Sequence, residues 1–175
     1  MEGLLKFKCD CCGQMIDQWP ALTFRVPSPF LLLSAEERQT MGRVGSDFCQ
    51  IEYPGHTARF IRVTMDQKVN DHCTSLEYGL WVSLSEESFN DYLENFENNS
   101  HEATYTGYIG NEIPSYPDTV SIPVTVKTRT GGQRPEIFPQ EGHEHPFVQD
   151  FYRGISKSEA ERRIQELFLN KLPKN

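Results

Sequence analysis

The order of strand-like and helix-like segments constrains the fold of this chain more than any other feature. Stretches rich in apolar, branched and aromatic residues, separated by turn residues, predict strands over 22–26, 47–52, 57–65, 78–84, 105–110, 120–130 and 136–138. The segment from Tyr53 to His56 and the Gly131-Gly132 pair have turn chemistry and predict hairpins. Runs of strands with few helices predict an α+β fold with a mainly antiparallel sheet.

A few helices are expected to flank this sheet. Ser34 and Glu37 form a capping box, which predicts a short helix. Ser85 is the expected cap of a second helix that runs to about Glu97, and a second capping box at Ser156 opens a terminal helix. The second helix carries an apolar stripe at helical spacing, formed by Phe89, Tyr92, Leu93 and Phe96.

The length of the chain, 175 residues, fits one domain over 1–175. Within it, residues 1–20 are expected to form a knuckle-like segment packed on the rest. The N-terminus lacks the apolar core and cleavage site of a secretory signal. The aliphatic run from Phe30 to Leu33 is far too short to cross a membrane. The sequence therefore predicts a cytoplasmic protein without a membrane partner.

The formal net charge is −8, and the charge is unevenly distributed. No Lys or Arg occurs from Val69 to Val126, whereas acidic residues are frequent there. This balance argues against nucleic-acid binding, which needs clustered basic residues. The acidic region from Glu86 to Glu102 is either a solvated helix face or a docking surface for a basic protein partner, as in a toxin-neutralising protein.

Cys9-x-x-Cys12-Gly13 has the spacing of half a zinc site, because two thiolates in a tight turn chelate one ion. A structural zinc site needs four ligands. A hairpin could bring Cys49 and His56 near one point, and the pair His72-Cys73 lies in a polar loop that could fold back. The alternative is that Cys49 is a buried small apolar residue and Cys73 an incidental surface thiol.

A second group, His143 and His145 with Asp150 further on, could hold a metal with open positions. Such a site would support a metal-dependent hydrolase that works through an activated water. Gly and Pro on both sides favour a different interpretation, in which this stretch is a polar loop and His145 lies near the N-cap of a short helix from about Pro146.

Several motifs run through nearly the whole chain in a consistent order. The stretches are Cys9-x-x-Cys12-Gly13, Asp47-Phe48-Cys49, Phe60-Ile61-Arg62, the run from Gly79 to Glu86, Gly107-Tyr108-Ile109, the run from Pro114 to Thr119, Arg134-Pro135, His145-Pro146-Phe147 and Gly154-Ile155-Ser156. Together they resemble the DUF2199 family, a mainly bacterial family of domains of unknown function. Trp-Val-Ser-Leu-Ser and Tyr-Pro-Asp-Thr are its most specific stretches.

This resemblance implies no particular activity, but it groups three cysteines. Cys9, Cys12 and Cys49 stand at motif positions, whereas Cys11 and Cys73 fall outside the motifs. The expectation is a structural zinc ion held by those three thiolates and a fourth ligand, either His56 or His145, with His56 preferred. The expected function is a non-catalytic binding domain.

Overall fold

The computed structural model describes residues 6–9 and 12–171, with side chains as far as Leu167. The strands of this part of the chain are β1 (Lys6–Lys8), β2 (Met15–Asp17), β3 (Leu22–Thr23), β4 (Gly42–Val44), β5 (Phe48–Tyr53), β6 (His56–Gln67), β7 (Leu76–Leu84), β8 (Thr104–Ile109), β9 (Pro123–Lys127) and β10 (Glu136–Pro139). The helices are α1 (Ser28–Leu31), α2 (Ala35–Thr40), α3 (Glu86–Glu94), α4 (Pro146–Arg153) and α5 (Lys157–Lys171).

Five of these strands close into a barrel in the order β6, β7, β8, β9 and β10. Neighbouring strands from β6 to β10 along the chain pair in antiparallel fashion. The barrel closes where β10 pairs with β6, and this pairing is parallel, with Glu136 opposite Thr64. The Thr64 N–H donates to the Pro135 carbonyl at the same seam (2.9 Å).

The closed barrel corrects the expectation of a mainly antiparallel sheet. The α+β class is confirmed, and most strand pairs are antiparallel, but the sheet is mixed because β10–β6 and β3–β7 are parallel. The physical reason is the length of β6, whose twelve residues serve several partners. Residues 56–61 of β6 pair with β5, and residues 60–67 pair with β7 on the opposite edge. Beyond the end of β5, the first edge of β6 pairs with β10 at Thr64.

Inward-facing side chains of β6 and β7 fill the barrel. Ile61, Val63 and Met65 of β6 point inward and are fully buried, as are Leu80 and Val82 of β7. Apolar residues of β9, β10, α4 and α5 belong to the same core: Val124, Val126, Ile137, Phe147, Val148, Ala160, Ile164 and Leu167. Alternating β-branched and large side chains give this burial on one face of each strand.

A second apolar cluster lies on the other face of the long strands. It contains Cys49, Phe60 and Trp81, covered by Phe30 and Leu33 from the α1 region. The Trp81 indole N–H donates to the Phe24 carbonyl (3.1 Å), which satisfies its polar atom. Cys49 is therefore part of a packed interior.

The predicted helix starts are confirmed. Ser34 and Glu37 form the capping box at α2, and Ser85 caps α3 by accepting from the Ser88 N–H (3.2 Å). The first turn of α5 opens at Ser156, whose hydroxyl accepts from the Glu159 N–H (3.2 Å).

The predicted stripe of α3 is buried only in part. Phe89 and Tyr92 enter the core, whereas Leu93 and Phe96 remain exposed. Within the described residues, no helix is long and apolar enough to span a membrane.

Candidate metal centre

A small hairpin positions the first two thiols. β1 and β2 pair in antiparallel fashion, with Lys8 opposite Met15, and form a sheet of their own. The Cys9 N–H donates to the Gln14 carbonyl (2.8 Å), and the Gly13 N–H donates to the Cys9 carbonyl (2.7 Å). Gly13 has φ +69°, a left-handed conformation that favours glycine. The turn therefore folds back tightly, with Cys9 at its start.

The loop between β6 and β7 brings a third thiol to this turn. The two strands stay in register as far as Gln67 opposite Leu76, so the loop projects from their common end. Cys73 lies in this loop, and its Sγ is 3.4 Å from the Sγ of Cys12.

A ring stack holds the same loop against the chain that leaves the hairpin. His72 stacks on Trp19 with ring centroids 4.1 Å apart and an interplanar angle of 16°. His72 Nδ1 accepts from the Thr74 N–H (3.3 Å), which fixes the ring relative to the loop. The loop and the hairpin segment are therefore in contact through aromatic packing as well as through the thiols.

The sulfur atoms of Cys9, Cys12 and Cys73 all lie within 4.8 Å of one another. Cys9 is buried, and the other two are exposed. Thiolates that share a tetrahedral zinc at about 2.3 Å have sulfurs about 3.8 Å apart, so the observed spacing needs little adjustment. These three cysteines are close enough to bind a metal ion.

Two of the four residues predicted as ligands lie away from this cluster. Cys49 is completely buried in the cluster around Phe60 and Trp81, where desolvation raises the pKa of its thiol to about 12. His56 is exposed at the start of β6 and stacks on Tyr53, with ring centroids 4.9 Å apart. The structure thus brings Cys9 and Cys12 together but does not join them to Cys49 or His56.

Cys73, which lies outside the motifs and was therefore the less favoured ligand, is the third thiol of the cluster, whereas Cys49 is not part of it. Membership in the motifs favoured Cys49, and Cys73 follows Cys12 by 61 positions with no spacing signal. The available signal was the pair His72-Cys73 in a polar loop between two long strands. Cys11 lies outside the described residues.

Two residues of the alternative hydrolase site, His145 and Asp150, make other contacts in the structure. His145 is the N-cap of α4, as the loop interpretation predicted: its Nδ1 accepts from the Phe147 N–H (3.0 Å) and its Nε2 contacts the Pro117 carbonyl (2.7 Å). Both ring nitrogens are thus occupied. The carboxylate of Asp150 is engaged by Arg163 (2.9 Å).

The acidic segment that begins at Glu86 is partly neutralised. Glu86 forms an ion pair with Arg59 (2.6 Å). The docking of a basic partner on 86–102 stays a prediction.

A model of the family described as "Uncharacterized protein conserved in bacteria (DUF2199)" matches residues 8–155. No curated protein and no solved structure matches the chain. The matched region contains all three clustered cysteines.

Proposed function

The chain belongs to that family of conserved bacterial proteins, and we propose that it is a non-catalytic binding domain with a structural zinc ion held by Cys9, Cys12 and Cys73. The observation that carries the proposal is the approach of three sulfurs within 4.8 Å from two distant parts of the chain. Sulfur-rich sites with tetrahedral geometry select zinc among the divalent ions common in cells.

A metal cross-link would stabilise the hairpin β1–β2, which is small and exposed. β1 is exposed along its whole length, and each strand has three residues. An isolated two-stranded hairpin is marginally stable in water. A metal bound to Cys9, Cys12 and Cys73 joins this hairpin to the end of the barrel, and the closed loop between Cys12 and Cys73 restricts the unfolded chain.

A fourth ligand would complete the proposed zinc site. Structural zinc sites are four-coordinate. Cys11 is adjacent to Cys12 in the sequence and offers a further thiol. His56 and His145 lie elsewhere in the fold, in the contacts described above.

Metal analysis of the protein, purified without chelators, tests the site. We expect one zinc per chain in the wild type and loss of bound zinc in Cys9→Ser, Cys12→Ser and Cys73→Ser. Cys49→Ala is the matched control and should keep its zinc, because that thiol lies in the apolar interior. Cys11→Ser distinguishes a fourth thiolate from a water ligand.

The absorption spectrum of the cobalt-substituted protein is an independent measurement of the ligands. Thiolate ligands give intense charge-transfer absorption that increases with their number. A wild-type protein without stoichiometric metal would refute the site. A Cys73→Ser variant that keeps full zinc and an unchanged cobalt spectrum would remove Cys73 from it.

A further inference from the structure

A cleft opens between the segment that follows α3 and the turn that joins β9 to β10. Its volume is about 450 Å³, which lies within the range of small-molecule sites. Its walls include Phe96, Asn99, Arg129, Gln133 and Arg134. The clustered cysteines are not in its wall, so the cleft is separate from the proposed zinc site.

Two guanidinium groups and one carboxylate line this cleft. Arg134 Nε donates to Asp47 Oδ1 (2.7 Å), and Arg129 Nε donates to the Arg134 carbonyl (2.8 Å). Arg62 lies beside them, and its backbone N–H donates to the Asp47 carbonyl (2.9 Å). Burial, and then the nearby charge of Arg134, lower the pKa of Arg62. Positive charge is therefore concentrated here, although the whole chain carries −8.

Arg129 is held in place by neutral groups. Besides the Arg134 carbonyl, its partner is the Thr64 hydroxyl, which accepts from Nη2 (2.8 Å). In the described part of the chain, no carboxylate lies within ion-pair distance of Arg129. The two bonds fix the guanidinium plane and use two of its five N–H groups. Such a preorganised arginine is well suited to bind an anion.

Arg129 and Arg134 face a single carboxylate in the wall of the cleft, that of Asp47. This leaves net positive charge for an anion that brings further acceptor oxygens.

The opposite wall offers an aromatic surface. Phe96 follows α3, and 42% of it is exposed, although its ring packs edge-on against Phe48 with centroids 4.9 Å apart. An exposed phenyl ring in a polar cleft is a surface on which a planar group stacks. The side-chain amides of Asn99 and Gln133 add neutral hydrogen-bonding groups.

The two walls are fixed relative to each other. The Gly131 N–H donates to the Asn99 carbonyl (3.1 Å). Gly132 has φ +70°, and a Cβ there would lie 3.3 Å from Asn99 Oδ1. Glycine thus permits this close approach, and the cleft is formed before any ligand arrives.

We propose that this cleft binds a small phosphomonoester, with the phosphate on Arg129 and Arg134 and a planar group on Phe96. The phosphate supplies the second negative charge and the acceptor oxygens that the arginine cluster lacks. The planar group covers the exposed ring. This site is independent of the proposed zinc site.

Isothermal titration calorimetry with adenosine 5′-monophosphate, inorganic phosphate, adenosine and citrate tests the proposal at constant ionic strength. We expect the nucleotide to bind at least about tenfold more tightly than either phosphate or adenosine, because each of them makes one half of the contacts. Arg129→Gln should weaken nucleotide binding by about tenfold or more.

Arg43→Gln is the matched control, since Arg43 is an exposed arginine of β4 that pairs with Glu52 (3.1 Å). It should leave nucleotide binding unchanged.

Phe96→Ala should weaken nucleotide binding and leave phosphate binding unchanged. Because 42% of Phe96 is exposed, this replacement should leave the fold intact. Circular dichroism checks the fold of each variant. Cys73→Ser should bind the nucleotide as the wild type does, which separates this site from the metal centre.

Several results would overturn the proposal. Absence of binding by any phosphate compound refutes the site, and tighter binding of citrate refutes the choice of phosphate. Equal loss in Arg43→Gln and Arg129→Gln indicates unspecific charge attraction. Equal affinity for the nucleotide and for phosphate refutes the role of Phe96 and the proposed class of ligand.

Discussion

At the scale of a single residue, Arg163 brings a charge into the interior. Only 3% of its side chain is exposed, and its guanidinium contacts Asp150 (2.9 Å), Glu159 (2.8 Å) and the hydroxyls of Tyr78 and Tyr116. Two carboxylates offset the cost of its desolvation. Arg163 thereby joins α5 to β7 and to α4.

Replacement of Arg163 by Met should destabilise the protein by about 2–3 kcal/mol in urea unfolding. Loss of one partner of a buried ion pair costs more than this when the remaining charge is fully buried. Here Asp150 and Glu159 retain some exposure, 40% and 31%, and water offsets part of the loss. The neighbouring variant Arg162→Met is the control, because Arg162 is half exposed and its loss should cost less than about 1 kcal/mol. Equal effects of the two variants would contradict this account.

Glu159 makes the stability of this contact depend on pH. Hydrogen bonds from Arg162, followed by those from Arg163, lower the pKa of Glu159 from 4.5 to about 2. Since the folded-state pKa is depressed, the contribution is fully present above about pH 4.5 and disappears as the pH falls through about 2. The difference in urea midpoint between wild type and Glu159→Gln should therefore be constant above pH 5 and shrink below pH 4.5.

The control for this titration is Glu161→Gln on the same helix. Glu161 pairs with an exposed Lys157 at 3.9 Å, so its replacement should have a small effect at every pH. A wild-type advantage over Glu159→Gln that persists unchanged to pH 2 would rule out the proposed linkage.

At the scale of elements, the hairpin β1–β2 depends on its attachment more than on its own pairing. Removal of the metal, or Cys73→Ser, should raise the hydrogen-exchange rate of the Phe7 and Ile16 amides, which lie opposite each other in the hairpin. The Leu80 amide, in the barrel, should change little, because β7 is paired on both edges.

Cys49→Ala is the control variant for this hydrogen-exchange experiment, and we expect it to affect the other region of the molecule. It should accelerate exchange in the outer apolar cluster around Phe60, where it leaves a small void, and leave the hairpin amides unchanged. Hairpin amides that exchange at the same rate with and without metal would show that the cysteine cluster does not stabilise this element.

At the scale of the whole molecule, we expect one cooperative unfolding transition, as the prediction of a single domain over 1–175 requires. The chain has two tryptophans, and they report on different regions. Trp81 is buried in the outer apolar cluster, and Trp19 stacks on His72 near the hairpin. In a Trp19→Phe variant, Trp81 emission and far-ultraviolet circular dichroism should change at the same urea concentration. Separate midpoints would indicate more than one folding unit.

The sequence was most informative where the signal is local. The turn at Gly131-Gly132 and the caps at Ser34 and Ser85 each depend on a few adjacent residues, and each is present in the structure. Closure of the barrel depends on one contact region between Thr64 and Glu136, which no local pattern encodes.

The cysteines of the candidate metal site were likewise predictable only where the sequence signal is local. The spacing of Cys9 and Cys12 was recognisable, whereas the proximity of Cys73 follows from the register of β6 and β7 and from the direction in which their loop folds. The arginine cleft was missed for the same reason, because Asp47, Phe96 and the two arginines, Arg129 and Arg134, belong to separate segments. Only the folded barrel places them together.

The parallel pairing of β10 with β6 also sets an order of events during protein synthesis. β6 and β7 can pair as soon as both have left the ribosome, but the strand that completes the ring is made much later. Until then, the nascent chain presents an unpaired stretch of β6 at Thr64 and an open apolar interior, both of which favour association with other chains. Synthesis of the segment up to Pro139 is thus the period in which the growing chain is most exposed to association with other chains.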